Sequence, residues 1–432
     1  MSDTKNYYSG GLAELVSHPT PSTFSFLEKW FTGRGSIGRA MRILHLPSRR
    51  TGECIFDLKD GELYINLKNE ENTLYKWTIF KYKDQISIHS VPRLIVSLWK
   101  ILNPLCVYNT IRMIIVQSVW IAYPQKTLGH MEKLVSKIPA VAPDADLDMT
   151  DKILRKKVWP SVIAVGMVSE FFSQYLEKES KELFTKINHF ISSEVSCNDW
   201  FFASIRDQEK VKKKEMTFDE YIEKYGIRSD QDYELTSPRW HEIPEKIKER
   251  IDGSVPFPQK NEELGIEVSH KIDALIHISI RLQILRSEAK RKTLTHIDHL
   301  RQEMLKKTVV PPTFNSKKTS VINNTGKSDK TLHKGVSVSS GKITGKVVKV
   351  TDNSQKIPEG TIGIFPNAST EFTIQFPKCA GMIFLRGGQT SHGAIVSREF
   401  GIPAVIDEDA GKIPDGVELK LDGDTGEWIV VE

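Results

Sequence analysis

A histidine within a glycine-rich stretch is the first feature of this sequence that suggests chemistry. Residues 387–404 read GGQTSHGAIVSREFGIPA. The apolar run CAGMIFL precedes them and predicts a strand, and a helix is predicted from about Ser391, so His392 should lie in the first turn of that helix. The N-terminus of a helix stabilises an anion such as a phosphoryl group through its free N–H groups and its dipole.

This position also affects the state of the imidazole. The positive end of the helix dipole disfavours a charged ring, so we expect a neutral ring nitrogen that can act as a nucleophile. This position makes His392 a candidate catalytic residue. The predicted phosphate-binding turn comprises Gly387, Gly388, Gln389, Thr390 and Ser391. The spacing alone leaves another explanation open, in which Thr390 or Ser391 only caps the helix and His392 is a surface residue.

Short strands surround this histidine. Residues 335–432 contain the apolar runs VSVSSGKITGKVVKV, GTIGIFP, CAGMIFL, IPAVI, VELKLDG and EWIVV, separated by turn signals. SHGAIVSREF is predicted as a helix, and STEFTIQF is a weaker helical candidate. The pattern predicts a compact α/β domain that can fold alone.

The rest of the chain differs in composition. Residues 1–310 begin with mixed α/β patterns to about residue 130, including a hairpin predicted at 54–67, and then become helical. Residues 311–334 hold five lysines and many Ser, Thr and Asn, which predicts a flexible linker. The predicted fold class is multidomain α+β, with a mostly helical central domain followed by the small domain at 335–432.

Composition excludes several classes of protein. The 60 basic and 55 acidic residues give a net charge of +5 that is spread along the chain, so nucleic acid is not an expected partner. The apolar stretch 90–124 is interrupted by Arg93, Lys100 and Arg112, short of the roughly 20 apolar residues that a membrane span needs. The N-terminus has no signal-peptide pattern and the four cysteines have no metal-type spacing, so a cytoplasmic location is expected.

The segment around His392 resembles the phosphohistidine signature of the phosphoenolpyruvate-utilising enzymes, GG-x-T-S-H-(A/G)-A-(I/V)-x-(A/S)-R-E-x-G-(I/L)-P-A-V. The flanking segments GVSVSSGKITG (335–345) and LDGDTGEWIV (421–430) are similar to the opening and closing strands of the same domain. The resemblance implies a swivelling β/β/α domain whose histidine takes a phosphoryl group at one active site and carries it to another.

Two upstream segments are similar to the central domain of phosphoenolpyruvate synthase-like phosphotransferases, including the rifampicin phosphotransferases. They are residues 9–31 and 225–240, and in that family the second reads more like HRGPxExxLxxPRW. The chain keeps Arg228, Glu234, Leu235, Pro238, Arg239 and Trp240 but has Ile227, Ser229 and Asp230 where His, Gly and Pro are usual. The resemblance implies an acceptor-binding region with an altered pocket. Arg228 and Arg239 are candidate cations there, and Glu234 is a candidate base or orienting group.

A third candidate element is the helical segment ILRSEAKRK (284–292). Arg286 and Lys290 lie one helical turn apart and face the same way, so they are predicted to clamp a phosphohistidine brought to them. The alternative is a solvated basic helix face.

We expect no nucleotide or metal to bind this chain directly. The ATP-grasp domain that precedes the central domain in the family has no room in the sequence, and GKITGK (341–346) is one residue short of a phosphate-binding loop. The helical pattern THIDH (295–299) lacks a further metal ligand nearby, so no metal site is predicted. We therefore expect Mg-ATP to be used by a separate ATP-grasp nucleotide-binding subunit.

The sequence thus predicts a phosphotransferase subunit that relays a phosphoryl group through His392. The group would come from an ATP-derived donor and pass to a small-molecule acceptor held by the central domain. The alternative is a non-catalytic, degenerate homologue that binds a metabolite or a partner. The intact motif at His392 favours the first, and the altered residues at 227–230 favour the second.

Overall fold

A computed structural model describes eleven stretches of the chain. They are residues 6–7, 16, 19–59, 62–74, 104–258, 264–307, 332–351, 355–368, 372–373, 375–389 and 391–431. Most of the predicted linker, the apolar stretch up to residue 103 and most of the segment 9–18 lie outside them, as does Thr390.

The chain divides into two compact units. The first comprises Met1–Tyr7, His18–Leu176 and His270–Val309, and the second comprises Tyr8–Ser17, Glu177–Ser269 and Val310–Glu432. Residues close in sequence thus fall in different units, because the chain leaves the first unit at residue 177 and returns to it at 270.

The first unit contains a small antiparallel sheet and helices. The sheet has the order β1–β3–β2, and the pairing of β2 with β3 confirms the hairpin predicted at 54–67. Its strands are β1 (Asn6–Tyr7), β2 (Phe56–Lys59) and β3 (Glu62–Ile65). Its helices are α1 (Pro21–Trp30), α2 (Ser36–Ile43), α3 (Leu67–Leu74), α4 (Pro104–Ala122), α5 (Pro124–Ser136), α6 (Leu147–Ile153), a π turn (Leu154–Val158), most of α7 (Trp159–Ser180) and α12 (His270–Lys307).

Aromatic side chains build the core of the first unit. The Trp159 ring packs at 5.9 Å from the ring of Trp30 and at 5.4 Å from that of Phe31, and all three are buried. The Trp30 indole N–H also donates to Asp151 Oδ1 at 2.6 Å, which ties α1 to α6. Helix α12 packs against α5 and α6 through buried residues such as Leu282.

The second unit begins with four helices. They are α8 (Phe184–Asn198), α9 (Trp200–Lys212), α10 (Phe218–Tyr225) and α11 (Pro244–Asp252), with a 3-10 turn at Trp240–Glu242. Helix α10 starts with a capping box, in which Thr217 and Glu220 satisfy each other's backbone N–H groups. Tyr221, Tyr225 and Trp240 form the buried core of these helices.

An eight-stranded sheet completes the second unit. Its order is β4–β11–β10–β6–β7–β8–β9–β5, and the neighbours from β6 to β9 are parallel. The strands are β4 (His333–Lys334), β5 (Val336–Ser339), β6 (Lys342–Lys349), β7 (Ile362–Phe365), β8 (Gly381–Phe384), β9 (Ala404–Ile406), β10 (Glu418–Asp422) and β11 (Glu427–Val430). The predicted multidomain α+β class is confirmed.

One helix of this sheet region carries the predicted nucleophile. Helix α13 (His392–Phe400) follows β8 and packs on β5, on a 3-10 turn at Phe376–Lys378 and on α8. It ends at Gly401, whose φ of 65° gives the left-handed C-cap that glycine favours. Of the weaker helical candidate 369–376, residues 369–371 and 374 lie outside the described residues. Within the described ranges, no helix combines the length and apolar character of a membrane span.

Candidate functional site

The predicted helix start is confirmed, and its backbone is already partly bonded. Ser391 is the N-cap of α13, and its hydroxyl oxygen accepts from Ala394 N at 3.3 Å. Gly393 N donates to the carbonyl of Ala368 at 2.9 Å. Two N–H groups of the first turn are therefore already bonded within the protein.

The glycines of the turn differ in whether their surroundings leave room for a side chain. Gly387 has a φ of 149°, a conformation that L side chains rarely adopt, and a Cβ there would lie 3.0 Å from the Cβ of Ala368. A Cβ on Gly393 would lie 2.9 Å from the same atom. Nothing lies within 4 Å of a Cβ on Gly388. Close packing on Ala368 thus explains Gly387 and Gly393, whereas Gly388 has no packing reason to be glycine.

The imidazole of His392 is held by two residues that sequence reasoning missed. Its Nε2 lies 2.9 Å from Thr373 Oγ1, and its ring stacks on that of Phe202 with centroids 4.6 Å apart and planes 20° apart. His392 itself is half-buried, whereas Phe202 is buried. When Nε2 accepts from the threonine hydroxyl, the ring is neutral and Nε2 keeps the lone pair that a nucleophile needs.

Arg398 ties the turn that is predicted to bind phosphate to its surroundings. Its Nε donates to Val338 O and its Nη1 to Ser192 Oγ, both at 2.8 Å, and its Nη2 donates to Gln389 O. Burial lowers the pKa of Arg398 to about 10, although neighbouring Glu399 favours the charged form. Because it remains charged at neutral pH, Arg398 positions Gln389 and links α13 to α8.

The segment predicted to bind the acceptor forms a closed loop next to α9. Trp240 N donates to Arg228 O at 2.7 Å, and Ser229 pairs with Arg239 in an isolated bridge. The guanidinium of Arg228 donates to Asp232 Oδ2 at 3.1 Å and to Ser204 Oγ at 2.5 Å. Arg228 is therefore buried and holds the loop in shape.

Glu234 and Arg239 lie inside this loop. Both have 0% of their surface exposed. Glu234 Oε1 accepts from Thr236 N and Oγ1 at 3.1 and 3.0 Å, and Arg239 Nη1 donates to Asp232 O at 2.8 Å. These contacts support the loop, and the predicted roles of Glu234 and Arg239 toward an acceptor stay predictions.

A pocket in the second unit brings the acceptor segment and the histidine region together. Its polar lining includes Arg228, Ser229 and Asp230 of the loop, and also Thr373, the residue bonded to His392. Apolar side chains complete its walls: Ile205, Val255, Pro377 and Phe400. A ligand in this pocket could therefore contact Thr373, whose hydroxyl group is hydrogen-bonded to the His392 imidazole.

One departure from the family pattern, Asp230, forms ion pairs of its own. Asp230 accepts from Arg250 Nη2 at 2.5 Å and from Lys246 Nζ at 3.1 Å. Burial raises the pKa of this carboxyl, but Arg250 and Lys246 outweigh burial and hold the pKa below its ordinary value. Asp230 is therefore ionised at neutral pH, and it anchors α11 to the loop.

The predicted clamp residues lie in the other unit. Arg286 and Lys290 are on α12, one turn apart as predicted, and both are half-buried. They belong to the first compact unit, whereas His392 belongs to the second. Their role as a clamp stays a prediction.

The THIDH segment of α12 makes structural contacts. His299 Nε2 donates to Ala145 O at 2.8 Å, and His296 Nδ1 lies 3.0 Å from Lys292 O. Burial lowers the pKa of His296. Among the described residues, no group of three His, Cys, Asp or Glu side chains is arranged to hold a metal ion.

Comparison with known proteins matches both regions that form the site. Residues 357–426 match the family model of the PEP-utilising enzyme mobile domain, and residues 160–304 match that of the rifampicin phosphotransferase fourth domain. These matches support membership of the PEP-utilising enzymes. Membership of this family supports phosphoryl transfer through a histidine as the chemistry at the level of the family.

Relatives match this chain over a limited segment. An uncharacterized protein of Mycobacterium tuberculosis is 34% identical over 102 residues, which are 23% of this chain and 12% of that protein. The phosphoenolpyruvate synthase of Pyrococcus furiosus is 36% identical over 97 residues, 22% of this chain and 12% of that enzyme. The chain thus spans about an eighth of the length of these relatives.

Solved structures add little. Thermococcus kodakaraensis aconitase X in its holo form is 22% identical, with a TM-score of 0.21, over 24% of this chain and 99% of that chain. This likeness carries no argument about fold or function.

Proposed function

We propose that this chain is a phosphotransferase subunit that relays a phosphoryl group through His392 to a small-molecule acceptor. The observation that carries the proposal is the placement of His392 Nε2, which lies 2.9 Å from a threonine hydroxyl in the lining of the pocket beside the acceptor loop. The stacked Phe202 and the hydroxyl of Thr373 hold the ring in one orientation, which lowers the entropic cost of attack.

The first step loads the histidine. The Nε2 lone pair attacks the phosphorus of the donor, an N–P bond forms, and the P–O bond to the leaving group breaks with its electron pair on that oxygen. Thr373 Oγ1 occupies the position that the incoming phosphorus needs, so its hydrogen bond to Nε2 must break first. The proton on Nδ1 stays on the ring and keeps the phosphohistidine reactive.

The second step delivers the group. An oxygen of the acceptor attacks the same phosphorus, loses its proton to a base, and the N–P electron pair returns to Nε2. Such transfers depend mainly on positioning and on cations around the phosphoryl oxygens. We propose that Arg286 and Lys290 supply these cations in the transfer state, and that a separate ATP-grasp subunit supplies the ATP-derived phosphoryl group with Mg²⁺.

The test of this function is labelling of a single histidine. The chain is incubated with a candidate ATP-grasp partner and ATP labelled at its β and γ phosphorus. We expect one acid-labile, base-stable label, lost in His392→Ala and kept in His333→Ala, which alters a histidine stacked on Trp428 in the same sheet domain. A label that persists in His392→Ala would overturn the assignment.

A non-catalytic role is the second candidate. It is favoured by the acceptor loop, where Arg228, Glu234 and Arg239 are all buried and bonded to the loop or its neighbours. In this case the pocket binds a metabolite and His392 takes no phosphoryl group. Binding of a small molecule by a chain that no ATP-grasp partner can label would establish this candidate instead.

A further inference from the structure

Two polar side chains in the lining of the pocket beside Thr373 lack hydrogen-bond partners. Ser229 is 2% exposed and Trp240 is 4% exposed, and both line the pocket. Within the described part of the chain, neither the Ser229 hydroxyl nor the Trp240 indole N–H has a hydrogen-bond partner. A buried polar group without a partner costs about 1–3 kcal/mol, so a ligand that accepts from these two groups would gain stability from the pocket.

The charges around these two groups define the ligand further. The guanidinium of Arg228 lies 4.8 Å from the centroid of the Trp240 ring, and that of Arg250 lies 5.6 Å from it. The charged side chains in the pocket lining are these two arginines and Asp230, which leaves an excess of one positive charge. Indole N–H groups only donate, and a serine hydroxyl can donate as well, so the ligand group must accept hydrogen bonds.

The remaining walls accept an apolar body. Ile205, Val255 and Phe400 line the pocket together with Pro377. A ligand that fits therefore combines an oxyanion that accepts from Ser229 and Trp240 with an apolar part against these side chains. Thr373 places the pocket beside the imidazole nitrogen.

We propose that this pocket binds an oxyanion group of the phosphoryl acceptor, through hydrogen bonds from the Ser229 hydroxyl and the Trp240 indole N–H. The ligand class is a small molecule with an apolar body and a carboxylate or phosphate group. As an account of the acceptor, the proposal rests on the function proposed above, but binding to the pocket does not require that His392 be phosphorylated. Ser229 stands where the family pattern has glycine, so this site differs from that pattern at the residue that contacts the ligand.

The test uses benzoate, inorganic phosphate and the neutral benzamide as probes of the full-length chain. The indole N–H signals of ¹⁵N-tryptophan-labelled protein are recorded during titration, with the Trp240 signal assigned from Trp240→Phe. We expect saturable shifts of the Trp240 signal with benzoate or with phosphate, and none with benzamide. The responding anion identifies a carboxylate or a phosphate group as the natural one.

A serine pair provides the matched variants. Ser229→Ala should weaken binding of the responding anion about 10-fold, because one hydrogen bond to a charged group is lost. Ser254→Ala should leave it unchanged, since that hydroxyl also belongs to a lining residue but already donates to Ile251 O at 2.7 Å. Ser229→Ala should also melt at an equal or higher temperature, because it removes an unsatisfied buried hydroxyl.

The outcomes separate the site from the function. No shift of the Trp240 signal by either anion, or equal binding by wild type and Ser229→Ala, overturns the proposal even if His392 becomes labelled. If His392→Ala still binds the anion and the wild-type chain cannot be labelled, the binding site is supported and the phosphoryl relay through His392 is contradicted.

Discussion

At the scale of single residues, the contacts of His392 explain how its imidazole is held in one orientation. The ring of Phe202 covers one face and Thr373 holds Nε2, so the ring has little freedom before loading. Neither residue belongs to the signature around His392. Phe202 comes from α9, 190 positions earlier in the chain, and a contact over that separation leaves no pattern in a single sequence.

We predict that Phe202→Leu slows delivery of the phosphoryl group from His392, because the His392 ring stacks on Phe202 beside the proposed acceptor pocket. An aromatic pair contributes about 0.5–1.5 kcal/mol beyond its buried area, which corresponds to a roughly 2- to 10-fold slower decay of labelled protein. The measurement is that decay after addition of acceptor. Phe190→Leu, on α8 and lining a different pocket, is the control and should decay at the wild-type rate. An unchanged decay in Phe202→Leu would mean that stacking does not orient the ring.

Asp207 shows how one carboxylate stabilises two helices. It accepts from Tyr225 OH at 2.7 Å and lies 2.9 Å from Lys224 Nζ and 2.8 Å from Lys210 Nζ. Burial raises its pKa, but Lys210, Tyr225 and Lys224 lower it more, to about 2. A depressed pKa in the folded state contributes stability at neutral pH that is lost as pH falls from about 4 to about 2.

We therefore predict that Asp207→Asn lowers the free energy of unfolding by about 1–2 kcal/mol at neutral pH, a figure reduced because both lysines are half exposed to water. The difference from wild type should shrink as the pH is lowered from about 4 toward 2. Urea unfolding at several pH values measures it. The control is Glu223→Gln, which neutralises an exposed carboxylate on α10 and should change stability little. A pH-independent difference would exclude the ionised carboxylate as the cause.

At the scale of elements, the alternating apolar runs predicted the strands of the sheet region well. Each of the six runs corresponds to one or two strands, because a strand buried on one or both faces leaves a pattern that local sequence shows. The strand β4 was not predicted, since its two residues carry no periodicity. The placement of α13 against α8 was also not predicted, because such packing depends on residues far apart in sequence.

The position of α13 depends on close packing at Gly393 that only glycine allows. A Cβ on Gly393 would lie 2.9–3.0 Å from atoms of Ala368 and from Phe384 Cε1. We predict that Gly393→Ala destabilises the protein by about 1–3 kcal/mol, as overpacking does. Gly388→Ala is the control for stability, since nothing lies within 4 Å of its Cβ. Thermal unfolding distinguishes them, and equal melting temperatures would show that α13 shifts to make room.

At the scale of the whole molecule, the proposed relay involves both compact units. The acceptor pocket and His392 lie in the second unit, and the proposed clamp lies on α12 of the first. The helical character of 150–307 was predicted, but the sequence did not reveal that this stretch is shared between two units. The chain leaves the first unit at residue 177 and returns to it at 270. Packing between distant segments determines these points, and no local sequence pattern predicts them.

We predict that Arg286→Ala and Lys290→Ala each slow delivery to the acceptor while His392 still becomes labelled. By analogy with the loss of one donor to a developing oxyanion, each should cost about 2–4 kcal/mol in the transfer step. The measurement is the decay of labelled protein after addition of acceptor. The control is Arg281→Ala on the same helix α12, which breaks an exposed ion pair between Arg281 and Glu132 of α5. Wild-type decay in both variants would show that the pair is a solvated face.

The proposal also assigns nucleotide binding to a partner. Isothermal titration of the purified chain with Mg-ATP should therefore show no micromolar binding. Heat of binding in the absence of any partner would contradict the subunit arrangement and place the donor site on this chain.

The hydrogen bond from Arg398 Nη1 to Ser192 Oγ has a kinetic consequence. If residues 335–432 move away from α8 in the proposed relay, this bond breaks and the Phe202 ring loses its stacked partner. The strength of these few contacts then sets how long the domain stays bound at α8 in each reaction cycle. Turnover would be fastest at an intermediate strength, since tighter contacts delay departure and weaker ones shorten the time available for transfer.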